Sequence, residues 1–177
     1  HTGFLNGENV EALLNEKKIN TTLNTAKFTA LSFNEKAREL SDNAALKVGF
    51  KWSSNCPKNA VFTYNKESHK YTTADFDSKF GTSGAEWENL ILLLDKTQYV
   101  VKENYKGSGK SETYCNYELS GGTGLICSEG TSVEISWGVA DSKLWMKDLN
   151  GNEISLNPGK TYIGYGSSNH SGAYSVI

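Results

Sequence analysis

Arginine, proline and cysteine are scarce in this chain, and long hydrophobic runs are absent. Arg38 is the single arginine among 177 residues, and arginine is the side chain that most often binds phosphate or carboxylate in a bidentate manner. A site built to clamp anions is therefore not expected. The 18 basic and 20 acidic residues give a formal charge of −2, which excludes a strongly basic nucleic-acid-binding domain. No apolar run reaches the roughly 18 residues that a membrane-spanning helix needs.

The three cysteines are too few and too scattered for a disulfide-rich scaffold. Cys56, Cys115 and Cys127 form no C-x-x-C pair, so neither a zinc knuckle nor a thioredoxin-like motif is predicted. Cys115 and Cys127 flank a glycine-rich turn at residues 120–124. They could face each other across a hairpin, and a disulfide between them is a candidate in an oxidising compartment. Thiols that behave as small apolar residues are the alternative.

Turn-forming and aromatic residues are abundant: the chain has 17 glycines, 17 asparagines and 9 tyrosines. Val10, Leu13 and Leu14 have the spacing of an amphipathic N-terminal helix. From residue 44 the apolar period falls to two, as in Leu46, Val48, Phe50 and Trp52. Short strands with turn signals then follow to the end of the chain. The sequence therefore predicts a mainly β (α+β) fold, an antiparallel meander sheet or a sandwich with an N-terminal helix.

The same patterns predict how the chain is organised. A single domain is expected over residues 1–177. Residues 1–43 would form the helix and an irregular lead-in, and residues 44–166 the antiparallel β region. The glycine- and serine-rich residues 167–177 are expected to be a flexible tail.

Two motifs resemble ligand loops but do not complete them. Gly107–Ser111 lacks the first glycine of a phosphate-binding loop, because that position is Asn104. Asp148, Asn150 and Asn152 match the first ligands of a calcium loop, but Glu153 stands where that loop needs glycine. Both stretches are typical of hairpin turns. The sequence contains no G-x-S-x-G and no H-E-x-x-H, and it predicts no cofactor and no metal site.

The densest carboxylate group consists of Asp75, Asp77, Glu86 and Glu88. Paired carboxylates can act as acid and base, and with His69 they define an enzymatic alternative. A solvated loop is the other interpretation, favoured by the glycines and the serine at 81–84.

Four aromatic residues lie close to turns and are candidates for exposure and binding. They are Trp87, Trp145, Tyr162 and Tyr165. Trp52 and Trp137 share the strand parity of Val48 and Ile135, which indicates that they belong to the core.

Several segments resemble a known family. They are Val61–Asn65, Asn89–Leu92, Gly121–Leu125, Gly130, Val133–Trp137 and the most specific one, Asp148–Ile163, which has the form D-x-x-G-x-x-I-x-L-x-P-G-K-T. Together they resemble the C-terminal domain of the YerB-like lipoprotein family of Gram-positive bacteria, whose function is not established. The resemblance implies an extracytoplasmic, membrane-tethered context, with the tether outside this chain. It implies no catalytic residues.

The resulting expectation is a non-catalytic domain with a binding or structural role in the cell envelope or on the cell surface. Its partner would be an envelope protein or a cell-wall polymer, not a nucleic acid. Two alternatives stay open. One is a cell-envelope hydrolase or wall-modifying enzyme that uses the acidic cluster, and the other is a subunit of a pilin-like surface fibre.

Overall fold

The computed structural model of the chain describes residues 7–22, 31–52, 59–74, 85–141, 143–169 and 172–177. Two compact units are present, residues 1–30 and residues 31–177. The described part of the first unit contains helix α1, Gly7–Glu16, and none of its residues is buried. No helix within the described ranges combines the length and the apolar character needed to cross a membrane.

The second unit consists of strands joined by turns. The strands are β1 Lys47–Lys51, β2 Asn59–Asn65, β3 Lys70–Thr72, β4 Glu86–Trp87, β5 Asn89–Asp95, β6 Thr97–Lys102, β7 Glu112–Tyr117, β8 Gly122–Ser128, β9 Thr131–Ala140, β10 Lys143–Asp148, β11 Thr161–Ser167 and β12 Tyr174–Val176. They form a first sheet in the order β12-β1-β2-β3-β4 and a second in the order β10-β9-β8-β5-β11, while β6 and β7 form a two-stranded ribbon. The predicted mainly β fold with one N-terminal helix is confirmed.

Strand β5 is covered on both faces, as its continuous apolar sequence predicts. All seven of its residues are buried. Leu90, Leu92 and Leu94 join a core with Val48 and Phe62 of the first sheet, so the two sheets pack face to face as a sandwich. The alternating residues of β5, Ile91 and Leu93, belong to a second core together with Ile135, Trp137, Met146 and Leu156.

Turns form at residues 65–68, 103–111 and 150–151, whereas residues 122–124 of the predicted glycine-rich turn belong to β8. Asn65 closes the β2–β3 turn, because its Oδ1 accepts hydrogen bonds from the backbone N–H groups of Glu67 and Ser68 at 2.8 and 3.2 Å. Strands β6 and β7 pair in register across the turn at 103–111. The turn at Asn150 and Gly151 follows β10, and its returning side forms a single antiparallel bridge, Lys147 to Glu153.

Two features of the second unit differ from a pure antiparallel meander. Strand β11 pairs with β5 in a parallel register over seven residue pairs, Thr161↔Asn89 to Ser167↔Asp95. The prediction of a flexible tail over 167–177 is wrong for its last residues, because β12 pairs with β1. Backbone hydrogen bonds also join Lys47 and Ile177 in both directions, at 2.8 and 2.9 Å. Strand pairing therefore fixes the end of the chain.

The prediction that Cys115 and Cys127 face each other across a hairpin is also wrong. Cys115 lies on β7, whose partner strand is β6, whereas Cys127 lies on β8 between β5 and β9. Both are free thiols, and Cys127 is buried. Burial raises the pKa of the Cys127 thiol, so it behaves as a small apolar residue. Cys56 lies outside the described residues.

Candidate functional site

A cleft of about 520 Å³ opens where turns of the two sheets meet. We call it the Glu129 cleft. Its lining residues are Glu39, Ser41, Asp42, Ala44, Leu46, Tyr64, Lys66, His69, Glu129, Gly130 and Thr131. The segment from Glu39 to Leu46 forms one wall and is fastened to the start of β9. The Ala45 N–H donates to the Gly130 carbonyl at 2.7 Å, and the Ser41 hydroxyl donates to the Ser132 carbonyl at 2.6 Å.

Three polar side chains converge in this cleft. The His69 Nδ1 lies 2.6 Å from Oε2 of Glu129, and the Tyr64 hydroxyl donates to the same oxygen at 3.1 Å. The Tyr64 hydroxyl also lies 3.3 Å from His69 Nδ1. His69 and Tyr64 come from the first sheet and Glu129 from the second. The network therefore exists only because the sandwich brings turns of both sheets together.

The backbone conformation of the two turns orients the His69 and Glu129 side chains. His69 and Glu129 both have a positive φ, 58° and 50°, which is uncommon for residues with a Cβ. Gly130, with φ 69°, follows Glu129. A Cβ on Gly130 would lie 2.7 Å from the Tyr64 ring. Glycine at this position therefore lets the ring pack on the backbone of the turn and places its hydroxyl against Glu129.

The charges of the cleft are unevenly distributed. Three carboxylates, Glu39, Asp42 and Glu129, face one lysine, Lys66, and the imidazole of His69. The Glu129 side chain is only 14% exposed, whereas that of His69 is 64% exposed. A mostly buried carboxylate at the floor of a negatively charged cleft favours a ligand that offers positive charge or hydrogen-bond donors.

Burial and the charges of Glu129 and Glu39 raise the pKa of Tyr64 to about 12. In the unfolded chain the phenol titrates near its ordinary value of 10. Between these values the folded state binds the proton more tightly than the unfolded state does. The stabilisation from a neutral Tyr64 is therefore complete below about pH 10 and is lost as the pH rises towards 12.

A comparison of the wild type with Tyr64→Phe tests this pKa shift. Phenylalanine keeps the ring on Gly130 and removes the titrating group. We expect the wild type to lose more unfolding free energy than Tyr64→Phe when urea unfolding is measured at pH 9 and again at pH 11. Equal losses in the two proteins would show that Tyr64 titrates alike in the folded and unfolded chains.

The two described members of the predicted acidic cluster are not paired with His69. Glu86 and Glu88 flank Lys70 instead, with carboxylate oxygens 3.3 and 3.8 Å from its Nζ. Glu88 also accepts a hydrogen bond from the Lys160 N–H at 2.6 Å. These carboxylates therefore hold the edge of the sandwich together. Asp75 and Asp77 lie outside the described residues. Within the described ranges, no three His, Cys, Asp or Glu residues are grouped so that they could hold a metal ion.

The four predicted aromatic residues do not form one surface. Trp87 and Tyr162 contact each other, with ring centroids 5.5 Å apart, and both pack on Phe62. Tyr165 belongs to the other core, packs on Trp137 and Tyr117, and donates its hydroxyl to the buried Asp95 at 2.6 Å.

Trp145 is the most exposed of the four, at 37%. It lies over Gly138, where an added Cβ would be 2.5 Å from its ring. Of the two tryptophans predicted to be in the core, Trp137 is buried and Trp52 is half-buried against the first core.

The residues that sequence reasoning missed are Tyr64 and Glu129. Tyr64 belongs to a strand with an alternating pattern, and Glu129 to a two-residue turn, so neither carries a motif. The one usable signal is Glu129 followed by Gly130. The side chain of a charged residue in a tight turn between two buried strands points in a fixed direction. Sequence alone does not show which residues that side chain contacts.

The arrangement as a whole is a β-sandwich domain with an open polar cleft and no complete catalytic motif among its described residues. Residues 48–163 match a family described as the C-terminal domain of a protein of unknown function, DUF3048. The chain belongs to this family, and the predicted resemblance to the YerB-like family is confirmed.

The crystal structure of the YerB protein from Bacillus subtilis is similar, with a TM-score of 0.67 and 18% sequence identity. The match covers 96% of this chain and 53% of that one, so the chain spans about half the length of YerB. At this identity the likeness concerns the fold. No curated protein matches the chain.

Proposed function

We propose that this domain is a non-catalytic binding module of the cell envelope or cell surface, and that the Glu129 cleft holds its ligand. The observation that carries the proposal is the convergence of Tyr64 from strand β2 with His69 and Glu129 from the β2–β3 and β8–β9 turns, in an open concave site. Concave sites with a few convergent polar groups are where ligands bind. The extracytoplasmic location rests on the resemblance to a lipoprotein family.

The cleft favours a cell-wall polymer that carries amino groups. An ammonium group would bind against the carboxylates of Glu39, Asp42 and Glu129, and charge-assisted hydrogen bonds of this kind are the strong ones. The Tyr64 and His69 side chains can exchange hydrogen bonds with sugar hydroxyls or peptide amides. An envelope protein is the other candidate partner.

Sedimentation with purified Gram-positive cell walls tests the proposal. The wild-type chain is expected to pellet with walls from which protein has been stripped. Glu129→Gln should bind about tenfold more weakly, because it keeps the shape of the side chain but loses the charge, and a hydrogen bond to a charged group contributes about 1.5–3 kcal/mol.

Glu118→Gln is the matched control, because it makes the same charge change outside the cleft. It should bind as the wild type does. Unchanged binding by Glu129→Gln would remove the cleft from the proposal. Failure of the wild type to bind stripped walls, together with its capture by an envelope protein fraction, would replace the polymer by a protein partner.

A second candidate function is a wall-modifying enzyme, favoured by one observation. Glu129 holds Nδ1 of His69, and a carboxylate that orients an imidazole in this way is typical of a general base. Water would be the nucleophile, because the two aliphatic hydroxyls of the lining already donate to backbone carbonyls, that of Ser41 to Ser132 and that of Thr131 to Ser128. Release of new amino groups or reducing ends from the same walls, abolished by His69→Gln, would establish this function instead.

A further inference from the structure

We infer that His69 and Glu129 form a proton-dependent latch between the β2–β3 turn and the β8–β9 turn at the Glu129 cleft. The two residues are 60 positions apart in the sequence, and their side chains meet at 2.6 Å. Each belongs to a different sheet. A contact between them therefore joins the two layers of the sandwich at the cleft.

The contact changes character with the charge of the imidazole. When His69 is protonated, a charge-assisted hydrogen bond to the Glu129 carboxylate holds the turns together. When it is neutral, Nδ1–H can still donate to the carboxylate, but the attraction between two opposite charges is lost and the contact is weaker. Imidazoles make this change between about pH 5 and 8, so the latch is closed in mild acid and loosened in mild base.

The other groups around the pair set the balance of charge. Glu39 and Asp42 come from the neighbouring wall, Lys66 from the β2–β3 turn, and the Tyr64 hydroxyl shares the Glu129 oxygen with His69. With His69 neutral, these ionised groups leave an excess of two negative charges. Protonation of His69 reduces the excess to one negative charge. The imidazolium then remains bound to the Glu129 carboxylate, which a ligand would need. This part of the inference rests on the proposed function: a cationic ligand competes with the proton on His69 and binds more weakly in acid.

The ligand-free protein tests the latch on its own. We expect Glu129→Gln to lower Tm by about 2–4 °C at pH 5.5, the shift that a loss of about 1 kcal/mol gives in a chain of this size. At pH 8.5 the same substitution should lower Tm by less than half as much. His69→Gln should remove this pH dependence, and in the double variant the second substitution should add little. An equal Tm loss from Glu129→Gln at both pH values would overturn the latch.

Wall binding at the same two pH values separates the latch from the proposed function. The wild type is expected to bind walls several-fold more weakly at pH 5.5 than at pH 8.5, and His69→Gln should show a flat profile. Wild-type wall binding that is the same at both pH values would contradict ligand competition. A pH-dependent Tm effect without wall binding at either pH would sustain the latch and overturn the cell-wall polymer as the ligand of the cleft. Wall binding together with a Tm loss in Glu129→Gln that is the same at both pH values would support the cell-wall ligand and overturn the latch.

Discussion

Replacing Asn157 by alanine is expected to lower the free energy of unfolding by about 3–4 kcal/mol, because one buried amide satisfies four groups. Its Nδ2 donates to the Arg38 carbonyl at 2.7 Å and to the Ser128 hydroxyl at 2.9 Å. Its Oδ1 accepts from Asn34 Nδ2 at 2.9 Å and from the Arg38 N–H at 3.2 Å. Alanine leaves all four without these partners, and the Ser128 hydroxyl among them is fully buried.

The same substitution should free the lead-in segment from the sheet. Asn34 and Arg38 lie in the chain that covers the second core, and Asn157 is their shared anchor. Trypsin should therefore cleave after Arg38 faster in Asn157→Ala than in the wild type. Chemical denaturation measures the stability loss, with Asn116→Ala, an exposed strand asparagine, as the control that should change stability by less than about 0.5 kcal/mol. A loss below about 1 kcal/mol in Asn157→Ala would contradict the anchoring role.

Gly124→Ala is expected to cost about 3 kcal/mol for a steric reason. A Cβ on this buried strand residue would lie 2.5 Å from the Leu92 carbonyl oxygen and 3.2 Å from Cγ1 of Ile135. The first contact is with a backbone atom, and backbone cannot change rotamer as a side chain can. The added methyl group would therefore force β5 and β8 apart. Overpacking a well-filled core typically costs about 1–3 kcal/mol.

Gly151→Ala distinguishes this clash from the general cost of replacing glycine. Gly151 has a φ of 87°, but nothing lies within 4 Å of an added Cβ. Its replacement should therefore cost only the backbone strain, about 1–2 kcal/mol. Thermal denaturation of both variants is the measurement. Equal Tm losses would mean that β5 and β8 adjust to the added methyl group without cost.

Local patterns predict much of this fold because the forces behind them are local. The alternation from Leu46 to Trp52 places Val48 and Phe50 in the core, and the continuous apolar run of β5 reflects burial on both faces. The turn at Asn65 is closed by its own side chain. In each case the residues that decide the structure are neighbours in the sequence.

Pairing between distant segments could not be predicted in the same way. The parallel partner of β5 is β11, more than 70 residues later, and the last strand returns to β1. The glycine- and serine-rich tail has a composition typical of disorder, but backbone hydrogen bonds to β1 do not depend on side chains. Sequence composition therefore carries little information about this strand.

The candidate site shows the same limit. His69 could be considered from the sequence, but only as a partner of the nearby acidic cluster. Its actual partner is Glu129, and the Tyr64 hydroxyl completes the group. The four candidate aromatic residues share only their proximity to turns in the sequence. In the structure, Tyr165 donates a hydrogen bond to the buried Asp95. Trp87 and Trp145 lie in separate parts of the sandwich.

A map of where wall material touches the domain tests whether the Glu129 cleft binds it. Soluble fragments of purified Gram-positive cell wall would be titrated into the isotopically labelled chain, and amide shifts recorded by nuclear magnetic resonance. We expect the shifts to concentrate at the β2–β3 turn, the β8–β9 turn and residues 39–46. Shifts confined to the surroundings of Trp145, or of Trp87 and Tyr162, would contradict it.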